Sequence, residues 1–186
     1  VYHTVKIGTQ IWLKENLDVG TMIQGTSNPS NDGRIEKYCY DNNPENCTTY
    51  GGLYQWNEAM TYDTANGAKG ICPAGWHIPT KTEFETLRVA VKDDGNTLKA
   101  IGQGTEIGAG SNASGFSALL GGNRKNNGYF YDLSLYTYFW TSTAFDSTNA
   151  NVLLLNGGDN RIFGSFGNIN LSGDIERGFS IRCLKN

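Results

Sequence analysis

The chain has 186 residues and a formal net charge of −3, from 15 Lys and Arg against 18 Asp and Glu. This length suits one domain with its own core, so we predict a single domain over residues 1–186. The lack of a basic run argues against a nucleic-acid partner. No apolar stretch reaches the length of a membrane span. Any export signal or lipid anchor is expected outside this sequence.

The first part of the chain predicts a β-hairpin, a long loop and a helix. Residues 4–13 alternate in polarity and turn near Gly8, as a hairpin does. Residues 24–46 are rich in Asn, Asp, Gly and Pro and are predicted as loop, with a short strand at 38–40. Apolar residues spaced by three and four predict a helix over 52–62. Its apolar face comprises Leu53, Trp56 and Met60.

A second helix is predicted after Thr80. Thr80 and Glu83 have the spacing of a capping box, in which each side chain accepts from a backbone amide of the other residue. The apolar stripe that follows comprises Phe84, Leu87 and Val91. The Asp-Asp-Gly sequence at 93–95 is predicted to end this helix.

The remaining sequence predicts mainly strands. Glycine is abundant, with 24 residues, and the apolar content of 38% includes 10 Tyr, 8 Phe and 4 Trp. We predict strands near 115–119, 138–142, 151–155, 161–163 and 178–184. Helices in the first half and strands in the second favour the α+β class with long irregular loops.

The chain has four cysteines, Cys39, Cys47, Cys72 and Cys183. An even count favours disulfides, and three connectivities are possible. Zinc is the alternative, but it prefers tighter Cys and His spacings than these. Disulfides indicate an oxidising compartment, so we expect an extracellular or cell-surface location.

One stretch of sequence is specific enough to suggest a family. Residues 70–80, Gly-Ile-Cys-Pro-Ala-Gly-Trp-His-Ile-Pro-Thr, are followed by Glu83 and Leu87. This pattern resembles the Fibrobacter succinogenes major paralogous domain. The segments that agree with it in order are 7–17, 50–60, 115–122, 139–143 and 178–184.

The resemblance implies a fold and a setting. The family occurs in exported bacterial proteins, often surface lipoproteins, and is similar to the formylglycine-generating-enzyme branch of the C-type-lectin-like folds. It implies paired N- and C-terminal strands, two helices, a mainly antiparallel sheet and an irregular region that presents a binding surface. We further expect Cys72 to pair with Cys183, which in the chain-entropy model contributes about 4–5 kcal/mol at most. Cys39 and Cys47 would then close a short loop.

The sequence predicts no catalytic site, metal site or cofactor. It contains no nucleophile elbow, P-loop or His-Glu-x-x-His motif. The related enzymes use a cysteine pair in the C-terminal half, where this chain has only Cys183. We predict a structural role for His77. Structural calcium is a minor alternative, with ligands from Asp32, Asp41 and residues 93–94.

The predicted ligand-binding segment covers residues 144–173. If Ala150, Val152 and Leu154 point inward, then alternate residues of this strand point out and form an exposed apolar patch. Aromatic and amide side chains together resemble the contact chemistry of a paratope, although the Phe residues would equally suit the core. The predicted contact residues are Phe145, Asp146, Asn149, Asn151, Leu153, Leu155, Asn156, Asp159, Asn160, Arg161, Phe163, Phe166, Asn168 and Asn170.

Two binding functions fit this segment. The first is that of a variable binding protein diversified by a retroelement. A diversity-generating retroelement mutates adenines near the 3′ end of a gene, often in Asn codons, and this process leaves an Asn-rich segment between two constant segments. The alternative is a surface module with a fixed glycan or peptide ligand; an enzyme of the formylglycine-generating type is a third. In either binding case we expect a monomer that binds a protein or glycan on another surface.

Overall fold

A computed structural model describes residues 1–164 and 171–186. Within these residues the protein is α+β, with short helices and both mixed and antiparallel sheets, which confirms the predicted class. The strands are β1 (Thr4–Ile7), β2 (Gln10–Leu13), β3 (Thr21–Met22), β4 (Glu36–Lys37), β5 (Trp76–His77), β6 (Gly121–Arg124), β7 (Phe130–Leu133), β8 (Tyr136–Ala144), β9 (Asn149–Asn156), β10 (Ile162–Gly164), β11 (Ser172–Asp174) and β12 (Leu184–Lys185). The helices are α1 (Pro44–Tyr50), α2 (Trp56–Ala59) and α3 (Lys81–Ala90). No helix in the described parts of the chain is long and apolar enough to cross a membrane.

The two ends of the chain meet in one sheet. Its strand order is β1-β2-β12-β5. The predicted hairpin is confirmed, with Ile7 opposite Gln10 across a turn in which Gly8 has φ 58°. Leu184 of β12 lies between Trp12 and His77. This arrangement agrees with the pairing of terminal strands that the family resemblance implies.

The second sheet carries the segment predicted to bind a ligand. Its order is β10-β9-β8-β6-β7, and β11 also pairs with β9. The long strands β8 and β9 are antiparallel, with a register shift between Trp140 and Ala144. The predicted strands at 138–142 and 151–155 are therefore confirmed within longer ones, and the strand predicted at 161–163 corresponds to β10.

Both faces of the β8–β9 pair are buried. Trp140, Ala150 and Val152 pack in one apolar cluster. Leu153 and Leu155 point the other way and pack in a second cluster with Trp12 and Phe84; their side chains are 0% exposed. The predicted alternation is correct, but the predicted exposure of Leu153 and Leu155 is wrong, because the N-terminal hairpin and α3 cover that face.

Helix α3 follows its predicted signals. Thr80 Oγ1 accepts from the backbone N–H of Glu83 at 3.2 Å, and a Glu83 carboxylate oxygen accepts from the Thr80 N–H at 2.8 Å. The apolar stripe is buried at Phe84 and Leu87 and ends at Val91. Local sequence is enough to specify this helix.

The helix predicted over 52–62 is mostly wrong. Only Trp56–Ala59 is helical, because Leu53 pairs with Tyr38 and Tyr54 pairs with Phe179. Helix α1 lies where a loop was predicted, although Asn43 caps its first turn by accepting from the Glu45 N–H at 3.0 Å. The Asn-Pro sequence at its start is a helix signal that the loop-like composition concealed.

Other strand predictions fail where the chain makes only isolated contacts. Residues 38–40 form no strand, since Tyr38 makes a single bridge and a 3-10 turn covers Tyr40–Asn42. Ser117 has φ 58°, and the predicted strand at 115–119 is reduced to one bridge at Ala118. The terminal segment 178–184 makes single bridges to three partners before β12 begins. Strands β6 and β7 were not predicted.

The predicted disulfides are both present. Cys39 is bonded to Cys47, eight residues away, and Cys72 to Cys183, 111 residues away. The long bridge joins the segment before β5 to the segment before β12. All four cysteines of the chain are thus paired, and the bridges are compatible with an oxidising compartment.

Candidate functional site

The exposed residues of the predicted binding segment lie at two separate ends of β9. The β8–β9 loop (residues 145–148) carries Phe145, which is 47% exposed, and Asp146. The β9–β10 loop (residues 157–161) carries Asn160 and Arg161, both exposed. A strand rises about 3.3 Å per residue, so the two ends of β9 lie roughly 23 Å apart.

Some predicted contact residues do not form a surface at all. Leu153 and Leu155 lie in the core, and Asn151 is 3% exposed. Asn149, Asn156, Asp159 and Phe163 are partly buried. The predictions for Phe166, Asn168 and Asn170 fall outside the described residues.

Asn151 holds the β8–β9 loop from inside. Its side-chain amide donates to the backbone carbonyls of Thr143 at 2.9 Å and Ala144 at 3.1 Å. These carbonyls lie beside the register shift that precedes the loop. Asn151 is therefore a positioning residue, contrary to its predicted place on the binding surface.

The β8–β9 loop is also closed by its own polar groups. The Asp146 carboxylate accepts from the Thr148 N–H at 2.8 Å and from the Asn149 amide at 3.1 Å. The backbone bond from Thr148 and the side-chain bond from Asn149 lower the pKa of Asp146. Phe145 projects from this closed turn as an exposed aromatic residue.

Lys99 holds the second loop in a similar way. Its side chain is 0% exposed, and its ammonium group donates to the carbonyls of Asn156 at 2.6 Å and Asp159 at 2.8 Å. Burial lowers the pKa of Lys99. The backbone N–H of Gly95 adds a bond to the Asn160 carbonyl at 2.6 Å. The loop is thus anchored through its main chain, and these bonds do not involve its own side chains.

The exposed Arg161 of this loop contacts two neighbouring side chains, one in the loop and one in β10. Arg161 and Asp159 form an ion pair at 2.5 Å, and the guanidinium lies 4.9 Å from the centre of the Phe163 ring. The Arg161 side chain lowers the pKa of Asp159 to about 2. An exposed pair of this kind adds little to stability, but it fixes the direction of Arg161.

Two further buried cations use backbone carbonyls as partners. Arg124 donates to Gly25 O at 2.8 Å and Glu176 O at 2.7 Å. Arg182 donates to Phe116 O at 2.5 Å and to the Asn16 carboxamide oxygen at 2.6 Å. Burial lowers the pKa of Arg182 to about 9, which leaves it charged at neutral pH. Together with Lys99, these side chains donate to backbone carbonyls that lie mostly in loops.

A cleft opens beside the β9–β10 loop. It has a volume of about 380 Å³ and lies between this loop, the turn before β8 and the segment that follows Lys99. Among its lining residues only Asn156 was a predicted contact; Gly157 and Gly158 follow it directly, whereas the other seven lie far away in the chain. The lining residues are Gly102, Gln103, Gly104, Thr105, Ser134, Leu135, Tyr136, Asn156, Gly157 and Gly158.

His77 has the contacts of a structural residue. Its Nε2 lies 3.0 Å from the Glu83 carboxylate and its Nδ1 lies 2.7 Å from the Asn186 side-chain oxygen. The hydrogen bond with Glu83 raises the pKa of His77, against the effect of burial. Burial acts to raise the pKa of Glu83, but bonds from His77 and Thr80 lower it overall. The pair ties the capping box of α3 to the C-terminus.

Three of the four proposed calcium ligands are engaged locally, and the fourth, Asp41, is exposed. Asp32 accepts from the Arg34 N–H, Asp93 pairs with Arg88 at 3.0 Å, and Asp94 accepts from the Asn96 N–H. Among residues 1–164 and 171–186, no three His, Cys, Asp or Glu side chains are grouped to hold a metal ion. The calcium alternative therefore gains no geometric support from these residues.

The fold and these loops define a disulfide-stapled α+β domain with paired terminal strands and loops anchored through their backbone. The sequence model of the Fibrobacter succinogenes major domain matches residues 5–185, and the chain belongs to this family. The resemblance seen at residues 70–80 is thereby confirmed. No curated protein matches the chain. No solved structure matches it.

Proposed function

We propose that the chain is a non-catalytic ligand-binding domain of an exported protein. In this proposal its contacts come from the β8–β9 loop, the β9–β10 loop and the neighbouring cleft. The observation that carries it is the anchoring of both loops through main-chain carbonyls, by Asn151 and Lys99. Phe145 and Asn160 expose side chains that do not anchor the loops, which leaves them available to a ligand on a preorganised surface.

We also propose that the fold is C-type-lectin-like. The pairing of β2 with β12 supports this, since it brings the chain ends together, and the bridge between Cys72 and Cys183 ties the terminal strand to the segment before β5. The irregular loops lie on the other sheet, as a lectin-like binding region requires. The ligand would be a protein or glycan outside the cell, where disulfides persist.

Binding is tested with panels of glycans, peptides and surface proteins. A ligand should be retained by the wild-type domain and lost on double substitution Phe145→Ser and Asn160→Ala, with an unchanged melting temperature. The matched control is Val89→Ser, at an exposed position of α3 outside both loops. An absence of binding on all panels, or equal ligand retention by the loop variant and the control, would contradict the proposal.

Variation by a diversity-generating retroelement is a second candidate, and the same anchors favour it. Side chains can change freely only where backbone contacts hold the loop. Sequencing the 3′ end of the gene across a cell population should then find substitutions in codons of the two loops and none in codons 150–155, which encode buried residues. A uniform sequence would exclude diversification and leave a binding domain with one fixed partner.

A further inference from the structure

The cleft beside the β9–β10 loop has walls that are joined by backbone hydrogen bonds. The Thr105 N–H donates to the Gly157 carbonyl and the Gly157 N–H donates to the Leu135 carbonyl, each at 2.8 Å. These bonds join the three segments that form its walls. Gly104 allows a close approach of two walls, because a Cβ there would lie 2.6 Å from the Gly157 carbonyl oxygen. A cleft of about 380 Å³ built this way falls in the size range of small-ligand sites.

The lining of this cleft contains no charged side chain. By contrast, a second cleft of about 390 Å³ is lined by Lys14, Glu15, Asp18 and Arg182, among others. An anionic or cationic ligand placed in the neutral cleft would lose water without gaining an opposite charge. The chemistry of the neutral cleft therefore selects an uncharged ligand.

Two carboxamides of the lining are oriented by the backbone. The Gln103 side-chain oxygen accepts from the Leu120 N–H, and the Asn156 side-chain oxygen accepts from the Gly158 N–H, each at 2.8 Å. Their NH₂ groups have no hydrogen-bond partner among residues 1–164 and 171–186. Each carboxamide thus keeps two donors in a fixed direction.

The other groups of the lining complete a surface for a polyhydroxylated molecule. The hydroxyls of Thr105 and Ser134 are exposed and, within the part of the chain that the structure describes, form no hydrogen bond. Tyr136 and Leu135 add an aromatic ring and an apolar side chain, on which the carbon-bound hydrogens of a sugar ring can pack. In this uncharged lining the amide donors and hydroxyls match the hydroxyls of a sugar, and the aromatic ring matches its apolar face.

We propose that this cleft binds a short neutral saccharide without calcium. The inference rests on the proposed binding function and names a ligand class for one end of the binding surface. Gln103 and Asn156 donate to sugar hydroxyl oxygens, and Tyr136 packs on the ring. The carbonyl anchor at Lys99 keeps the Asn156 wall in place.

The test begins with a glycan array of neutral, sialylated and sulfated glycans, read in buffer containing EDTA. The strongest neutral glycan is then titrated against Gln103→Glu, Asn156→Asp and a control, Asn127→Asp. The first two replace the NH₂ donors by oxygen and keep the acceptor for the backbone N–H. The control adds the same charge at an exposed residue outside both loops and the cleft lining, where the side-chain oxygen likewise accepts from a backbone N–H, that of Tyr129.

Neutral glycans should bind in EDTA, and the two cleft variants should each bind about tenfold more weakly, while Asn127→Asp binds like the wild type. Binding confined to charged glycans, loss of binding in EDTA, or equal affinities of cleft variants and control would overturn the saccharide site. A peptide or protein ligand without any glycan would overturn it and leave the binding function standing. An absence of binding on every panel would overturn both the saccharide site and the proposed binding function.

Discussion

Replacing Lys99 by Met removes the anchor of the β9–β10 loop while keeping the length of the side chain. In the native protein the ammonium group donates to two carbonyls, those of Asn156 and Asp159, inside a fully buried site. No carboxylate lies within ion-pair distance of this lysine among the described residues. The substitution therefore tests whether a buried cation that binds only backbone can hold a loop.

The expected cost follows from the groups that lose their partner. Each buried carbonyl left without a donor costs about 1–3 kcal/mol. The desolvation cost of the buried ammonium group disappears with the substitution, which offsets part of the cost of the two carbonyls. We expect a net loss of about 2–4 kcal/mol in the free energy of unfolding, since the Met side chain still fills the site. For a domain of this size the melting temperature should fall by roughly 4–16 °C.

Urea denaturation gives the free energy, and hydrogen exchange locates the change. Protection should fall first at the amides of Gly157 and Thr105, which bond within the cleft walls. The control is Lys69→Met at an exposed lysine, which should stay within about 0.5 kcal/mol of the wild type. A Lys99→Met protein as stable as this control, or one that loses protection evenly over all strands, would refute the anchoring role.

The remaining predictions concern β9 and the His77 contact. Leu153→Ala should lower the free energy of unfolding by about 2–5 kcal/mol because the side chain is fully buried, whereas exposed Asn160→Ser should change it by less than about 0.5 kcal/mol; equal melting temperatures would contradict the core position of Leu153. Asn151→Leu should cost about 1–3 kcal/mol, since the carbonyls of Thr143 and Ala144 each lose the hydrogen bond from the Asn151 amide, and a neutral result in urea denaturation would contradict its anchoring role. The raised pKa of His77 means that the folded state keeps a proton that the unfolded state releases above about pH 6.5, so stability should fall as the pH rises through that raised pKa. The lowered pKa of Glu83 acts at the acid end, where stability is lost as the pH falls through it; melting curves of His77→Gln should lack the first dependence, and an identical pH profile would contradict it.

Elements specified by neighbouring residues could be predicted from the sequence. The hairpin at residues 4–13 depends on alternation and a tight turn at Gly8, and helix α3 depends on Thr80 and Glu83. The paired disulfides and the meeting of the chain ends followed from the family resemblance. The family itself was recognised from residues 70–80, and its model matches nearly the whole chain.

Elements that depend on distant partners could not be predicted. Residues near 53 have helical spacing, yet Leu53 and Tyr54 form bridges with Tyr38 and Phe179. These bridges supply hydrogen-bond partners for the backbone N–H and C=O groups, which a helix would otherwise supply. Strands β6 and β7 begin in Gly- and Asn-rich sequence that is typical of loops. Their strand form is decided by pairing with each other and with β8.

The sequence by itself determined the class, the local signals and the alternation of side chains along β9. Only the tertiary structure decided that both faces of β9 are covered, so that Leu153 lies in the core and the predicted binding surface divides into two loops. Only the tertiary structure joined Gln103 and Asn156 in one cleft and aimed Lys99 at backbone carbonyls. The reason is that side-chain periodicity is a local property of the chain, whereas burial and hydrogen-bond partners depend on which distant segments pack against it.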